Sequence, residues 1–343
     1  NYLLMILKQV QLSTKYKINS QEIKNALKIV KPSNEAKKIT QNLLSSKSRA
    51  IFLGHQILHL DDGDNIKLIA MHIAQAIEAT FGLIPGYANS VGLNELNLNS
   101  DNISTDKILS QKKEAHIMMN FDPSYDYHSP KKINAALKNA KFNLAISPYI
   151  SDSFKGFDVV LPMTPFTETS GTFINMEKRI QSFSAVTPPF GQSRPGWKIL
   201  RVLANFLQLE GFLYDSSEEV KADAMIEFDK KNEDNLKVFK PSKIRSGLEI
   251  LNLIKANDSD MIVRRAASLH KNKDQSCCLI NPTTMLKEGL IDGQKIRISS
   301  SEAEVLINVK ADENVCLDAV AIFGKKDETA FLGMDNKVKI KKA

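Results

Sequence analysis

The side chains able to do chemistry lie in five places along 343 residues. His55 and His59 stand four apart, ahead of Asp61, Asp62 and Asp64. On a helix that spacing would set two imidazoles on one face beside a carboxylate, a set suited to zinc. The stretch follows Gly54 and contains Gly63, so it reads as a loop; with no third placed ligand, no metal is expected. Asp61-Asp62-Gly63-Asp64-Asn65 also lacks the ligand order and terminal glutamate of a calcium loop. Gly54 closes an apolar run where a strand could hand a phosphate to a helix, but no further glycines follow at dinucleotide spacing, and it reads as a turn. Glu168, Glu177 and Arg179 could serve as acid and base; their spacing in a strand–turn–strand unit points instead to hairpin ion pairs and loop hydrogen bonds. Cys277, Cys278 and Cys316 offer neither C-x-x-C nor a four-cysteine set, so no iron–sulfur cluster is expected here by cysteine ligation. They read as small packing residues of a reducing compartment. Arg264-Arg265 suits either an ion-pair network or a subunit interface. No residue is assigned a catalytic, cofactor-binding or metal role.

The elements that must position these groups follow from apolar patterning. Residues 1–45 read as a helical segment, with Pro32 dividing two helices. Ala50–Gly54 reads as a parallel strand and Ile66–Thr80 as a helix laid on a sheet. His116–Phe121, a helix over Lys131–Ala140, Phe142–Ile146 and Asp158–Leu161 continue the alternation, which implies one open, mostly parallel α/β sheet with flanking helices. Asn89 and Ser90 read as turn formers, and Asn94–Ser110 as a surface loop. Thr172–Asn175 and Arg179–Phe183 form a hairpin within 166–184, turning at Met176-Glu177-Lys178. Trp197, Leu200, Val202-Leu203 and Phe206-Leu207 give an amphipathic helix over 197–209, stopped at Glu210-Gly211. Ser216–Asp234 reads as a solvated helix. The α/β domain thus covers 46–245, and a linker punctuated by Pro241 and Gly247 covers 246–275. Short strands with an Asp292-Gly293 turn make 276–343 a small β-barrel.

Composition narrows the classes. A 43% hydrophobic and 25% charged chain is ordinary for a folded protein. The formal net charge of +7 is spread among lysines with no stripe interleaved by aromatics, so no nucleic acid partner is expected. No apolar run reaches the ~18 residues needed to span a bilayer. The start at Asn1, without a charged n-region and cleavage site, suggests a longer polypeptide rather than a signal peptide.

The run Asp158-Val-Val-Leu-Pro162, then Glu168-Thr-Ser-Gly-Thr-Phe-x-Asn175-x-Glu177-x-Arg179-x-Gln181, then Pro195-x-Trp197-Lys-Ile-Leu-Arg201, resembles the molybdopterin-oxidoreductase superfamily, and within it the iron–sulfur subunit family of bacterial NADH-quinone oxidoreductase, respiratory complex I, that shares this fold in its C-terminal region. Tyr87–Gly92, Asp260–Ala266 and the order from Asn281-Pro282 to Ile298 extend the likeness over most of 45–343. The family turn carries glycine where Lys178 stands, so this lysine must accept a strained φ or use another turn. The resemblance implies a fold that keeps the family shape without its cofactor, a scaffold with no cofactor of its own. It places iron–sulfur clusters upstream, other peripheral-arm subunits of complex I as partners, and the complex on the cytoplasmic face of the cell membrane. A working molybdopterin enzyme such as a formate dehydrogenase, its metal ligand upstream of Asn1, is the alternative. Only 15 glycines in the chain disfavour it, because a dinucleotide cradle needs bare backbone turns.

Overall fold

The computed structural model describes residues 2–55, 57, 60, 62–96, 105–127, 129–228, 239, 248–270, 276–324, 329–332 and 337–343. His59, Asp61, Pro241 and Gly247 lie outside them. The chain divides into two compact units, one of Asn1–Asn97, Phe173–Gln181 and Phe228–Arg245, the other of Leu98–Thr172, Ser182–Glu227 and Ser246–Ala343.

The first unit begins with helices α1 (Tyr2–Ser13), α2 (Gln21–Lys28) and α3 (Asn34–Ser45), the latter two flanking Pro32. Ser20 and Ser33 start α2 and α3 by accepting the amides of Ile23 and Ala36 at 3.3 and 3.1 Å, satisfying donors that the helix itself leaves open. Strand β1 (Ala50–Leu53), helix α4 (Gly63–Ala76), strand β2 (Thr80–Leu83) and helix α5 (Ser90–Glu95) follow. β1 and β2 pair in parallel from Ala50↔Thr80 to Leu53↔Leu83. Leu7 and Val10 of α1, Ile23 and Leu27 of α2, and Ile69 and Ile73 of α4 bury into one core.

In the second unit, α6 (Thr105–Ser110) leads to β3 (Ala115–Met119), α7 (Pro130–Asn139), β4 (Phe142–Ser147) and β5 (Val159–Pro162). The three strands form a parallel sheet in the order β3-β4-β5, with Ala145 and Ile146 fully buried in its middle strand. The α/β class with parallel sheets therefore holds, but the strands are shared between two sheets rather than joined in one. Each apolar run is locally a strand; which runs pair is set by tertiary packing that no run encodes.

Strands β6 (Gly171–Ile174) and β7 (Ile180–Phe183) make a separate two-stranded sheet, and α8 (Gly196–Phe206) and α9 (Ser217–Phe228) follow. α8 ends earlier than expected from Gly211, because Gln208 already takes the left-handed conformation (φ 55°) that terminates a helix. The barrel comprises β8 (Leu248–Leu253), β9 (Cys277–Ile280), β10 (Lys295–Ser299), β11 (Glu304–Ala311), β12 (Ala319–Phe323) and β13 (Lys337–Lys342), with helix α10 (Pro282–Lys287) after β9. It closes in the order β10-β11-β9-β12-β8-β13. Cys278, Ile280, Ile296, Ile298, Val320 and Ile322 fill it. β8 falls in the stretch read as linker: Leu248 and Ile250 alternate inward, but the strand is made by pairing with β12 some seventy residues on. Two stretches read as loop are likewise partly helical, Thr105–Ser110 as α6 and Gly63 onward as α4.

Candidate functional site

His55 follows β1, and its ring lies so close over Gly86 that a Cβ there would meet it at 2.3 Å; it also meets the Tyr87 ring edge-on at 5.1 Å. Gly54 faces open space, consistent with a turn. Among the described residues, no group of three or more His, Cys, Asp or Glu could hold a metal. All three cysteines are free. Burial, with Cys277 beside it, pushes the Cys278 thiol up to about 12, which suits a packing residue; Cys316 is exposed and so does not pack as expected.

The central motif builds a turn and a groove. The Asn175 side-chain oxygen accepts the amides of Glu177 and Arg179 at 3.0 and 2.9 Å, and Lys178 takes the strained option with φ 60°. A left-handed lysine costs about 1 kcal/mol. Lys178 also pairs with Glu95 at 2.8 Å, and Arg179 with Glu177 at 3.0 Å. Asn89, expected to be only a turn former, caps α5 by its backbone position and accepts the Ile174 amide on its side-chain oxygen at 2.9 Å. Glu168 accepts the Phe190 amide at 2.9 Å, folding the proline loop back toward its own strand. Glu168, Arg194, Trp197 and Lys198 are among the residues lining the open groove of about 470 Å³ that results. Glu168 and Glu177 are thus engaged in turn and loop geometry, as their spacing suggested.

A cluster of two ion pairs lies where β3 and β4 end, the side of a parallel sheet at which α/β folds bind ligands. After β3 the chain turns through Asp122–Asp126, with the Asp122 amide donating to Asp126 at 2.9 Å. Asp260 starts a second turn by accepting the amides of Ile262 and Val263 at 2.8 and 3.0 Å, which aims two successive guanidiniums. Arg264 reaches Asp126 at 3.0 Å and Arg265 reaches fully buried Asp122 at 3.3 Å. Their faces stack on Tyr125 and Tyr149 at 5.0 and 5.1 Å. Ser147, ending β4, donates to the Tyr149 carbonyl at 2.7 Å and lies 3.7 Å from the sulfur of buried Met261. Of the two readings left open for the arginines, the ion-pair network is realised. Its acidic half escaped sequence reading, although the run Asp122-Pro-Ser-Tyr-Asp126 after a strand carries a turn signal. Each guanidinium gives one amine to a carboxylate and one to a backbone carbonyl of the same chain, which makes the cluster a poor match for a pyrophosphate-bearing cofactor, although the buried Arg264 Nε has no hydrogen-bond partner among the described residues.

Residues 7–206 match the family model described as molybdopterin oxidoreductase. Among curated proteins, the chain is 36% identical over 92 residues to a probable oxidoreductase, YjgC, of Bacillus subtilis, covering 27% of this chain and 9% of that protein. It is 39% identical over 75 residues to a putative formate dehydrogenase of Staphylococcus aureus, covering 22% and 8%. It is 24% identical over 188 residues to the NADH-ubiquinone oxidoreductase 75 kDa subunit of Reclinomonas americana, covering 52% and 26%. The aligned part is thus a quarter or less of most of these relatives' lengths. Among solved structures, acetylene hydratase from Pelobacter acetylenicus superposes on 97% of this chain and 65% of its own, with a TM-score of 0.64 and 11% identity.

Proposed function

Because the chain belongs to the molybdopterin oxidoreductase family, and its strand ends carry committed ion pairs, we propose that it is a cofactor-free scaffold portion of the iron–sulfur subunit of an NADH-quinone oxidoreductase. The Arg264–Asp126 and Arg265–Asp122 ion pairs carry this reading. The partial likeness to a 75 kDa subunit, which extends over more of the chain than the other two reported, supports it. So does uncovered apolar surface: Phe190, Phe206 and Leu213 are 84%, 82% and 81% exposed on a unit where α8 buries only Ala204. In this reading iron–sulfur clusters carried elsewhere in the polypeptide pass electrons from NADH toward quinone. The present residues hold neighbouring subunits of the peripheral arm, on the cytoplasmic face of the membrane. Among the described residues no helix is long and apolar enough to cross a membrane.

A second reading, part of a working formate dehydrogenase-like enzyme, draws on the higher identity over short segments. Assembly separates the two. A Cβ on Gly171 would meet the Phe183 ring at 2.6 Å, so Gly171→Val must displace that ring and disturbs the hairpin, whereas Glu177→Gln removes one exposed ion pair. In the scaffold reading, Gly171→Val lowers the amount of assembled complex several-fold and Glu177→Gln leaves assembly and turnover near wild type. Loss of turnover at normal assembly in Glu177→Gln contradicts it.

A further inference from the structure

The outer face of the barrel carries lysines with no ion pair among the described residues. On antiparallel strands, directly paired residues point to the same side, so Arg297↔Lys341 and Ser299↔Lys339 set the side chains of β10 and β13 on one face while Ile296 and Ile298 fill the interior. Lys295, two residues before Arg297, shares that face, and Lys310 lies on the outward side of adjoining β11. Arg297 has Glu304 at 3.4 Å, whereas Lys295, Lys339 and Lys341 have no ion pair among the described residues. Glu304 offsets the charge of Arg297, while Lys341 opposite it, and Lys295 and Lys339 on the same face, keep charges that an external anion could meet. Leu306 pairs with Arg297 in the same row and is 53% exposed, placing an aliphatic side chain among the ammonium groups.

We propose that this face docks on an anionic lipid surface. Protein interfaces are depleted in lysine and favour aromatics and arginine, the reverse of what stands here. Nucleic acid binding calls for aromatics interleaved with the cations, and these strand positions supply none. Lysine ammonium groups around the exposed Leu306 match a headgroup layer, where the cations meet lipid phosphate and carboxylate and the aliphatic side chain enters the interface. The inference stands on the barrel alone and does not depend on the scaffold reading.

The test is co-sedimentation of the protein with vesicles of phosphatidylcholine alone and with about one-third phosphatidylserine. Binding is expected only with phosphatidylserine, and it should fall when salt rises from about 0.1 to about 0.5 M. Lys339→Glu/Lys341→Glu, both exposed and outside the core, should reduce binding about tenfold or more. Leu306→Ser should weaken binding while leaving its salt dependence. Lys24→Glu/Lys28→Glu, on α2, should bind like wild type, which keeps net charge from explaining the result. No binding, binding unchanged in the β13 variant, or equal loss in the α2 variant overturns the proposal. Retention on immobilised acidic protein or nucleic acid without vesicle binding also overturns it.

Discussion

Asp122→Ala is expected to lower folding stability by about 3 kcal/mol. The carboxylate is fully buried and holds Arg265 at 3.3 Å, while its other oxygen accepts the Ser124 amide at 3.3 Å. Truncation leaves the guanidinium facing Tyr149 and its own Met261 carbonyl, with its countercharge gone. Arg265 remains partly hydrated, which keeps the loss at the lower end of the range for a broken buried pair. Removing both partners in Asp122→Ala/Arg265→Ala should cost less than the two single losses added together, with a coupling of about 1 kcal/mol or more. Urea unfolding of the four proteins measures this. Strict additivity would mean that the pair is incidental and that Asp260 and Met261 hold the turn without it.

Gly63→Ala is expected to cost about 3 kcal/mol, although alanine is ordinarily the better helix former by about 1 kcal/mol. Its Cβ would stand 2.1 Å from the Ile57 carbonyl oxygen, a backbone atom that cannot swing away as a side-chain tip would. Ile57 is buried, its amide is bonded to the Gly54 carbonyl at 3.2 Å, and its carbonyl accepts the Leu60 amide at 3.3 Å. Relief therefore requires moving the start of α4, which carries Ile69 and Ile73 into the core of the first unit. Gly54→Ala provides the contrast. No atom lies within 4 Å of its added Cβ, and the change should stay within about 0.5 kcal/mol of neutral. Thermal unfolding of both variants decides the matter; similar melting temperatures would show that the chain between β1 and α4 yields easily.

Most of the strands were legible where a β-branched run stood alone. Val159–Pro162 announced itself by its valines and closing proline, and Phe142–Ser147 by an unbroken apolar core. Thr80–Leu83 did not, because Gly82 interrupts the pattern; its place is set by the Phe52 ring, which an added Cβ would meet at 2.8 Å. Lys337–Lys342, whose short Lys-Val-Lys-Ile alternation drew no strand reading, is placed by β8 and β10 on either side. The hairpin turn was legible to the residue, including the conflict at Lys178, because a turn is local chemistry. The Arg264–Asp126 pair spans 138 positions in sequence. Local reading could show that two arginines needed partners but had no means of naming Asp122 and Asp126.

The measurement that bears most directly on the scaffold account is metal and pterin analysis of the native polypeptide that carries these residues, with iron, molybdenum and tungsten determined on one sample and oxidised pterin read by fluorescence. The account predicts several irons per chain with molybdenum, tungsten and pterin far below stoichiometric. Near-stoichiometric molybdenum or tungsten with pterin would contradict it, and the Arg264–Asp126 and Arg265–Asp122 pairs would then have to lie beside a working cofactor.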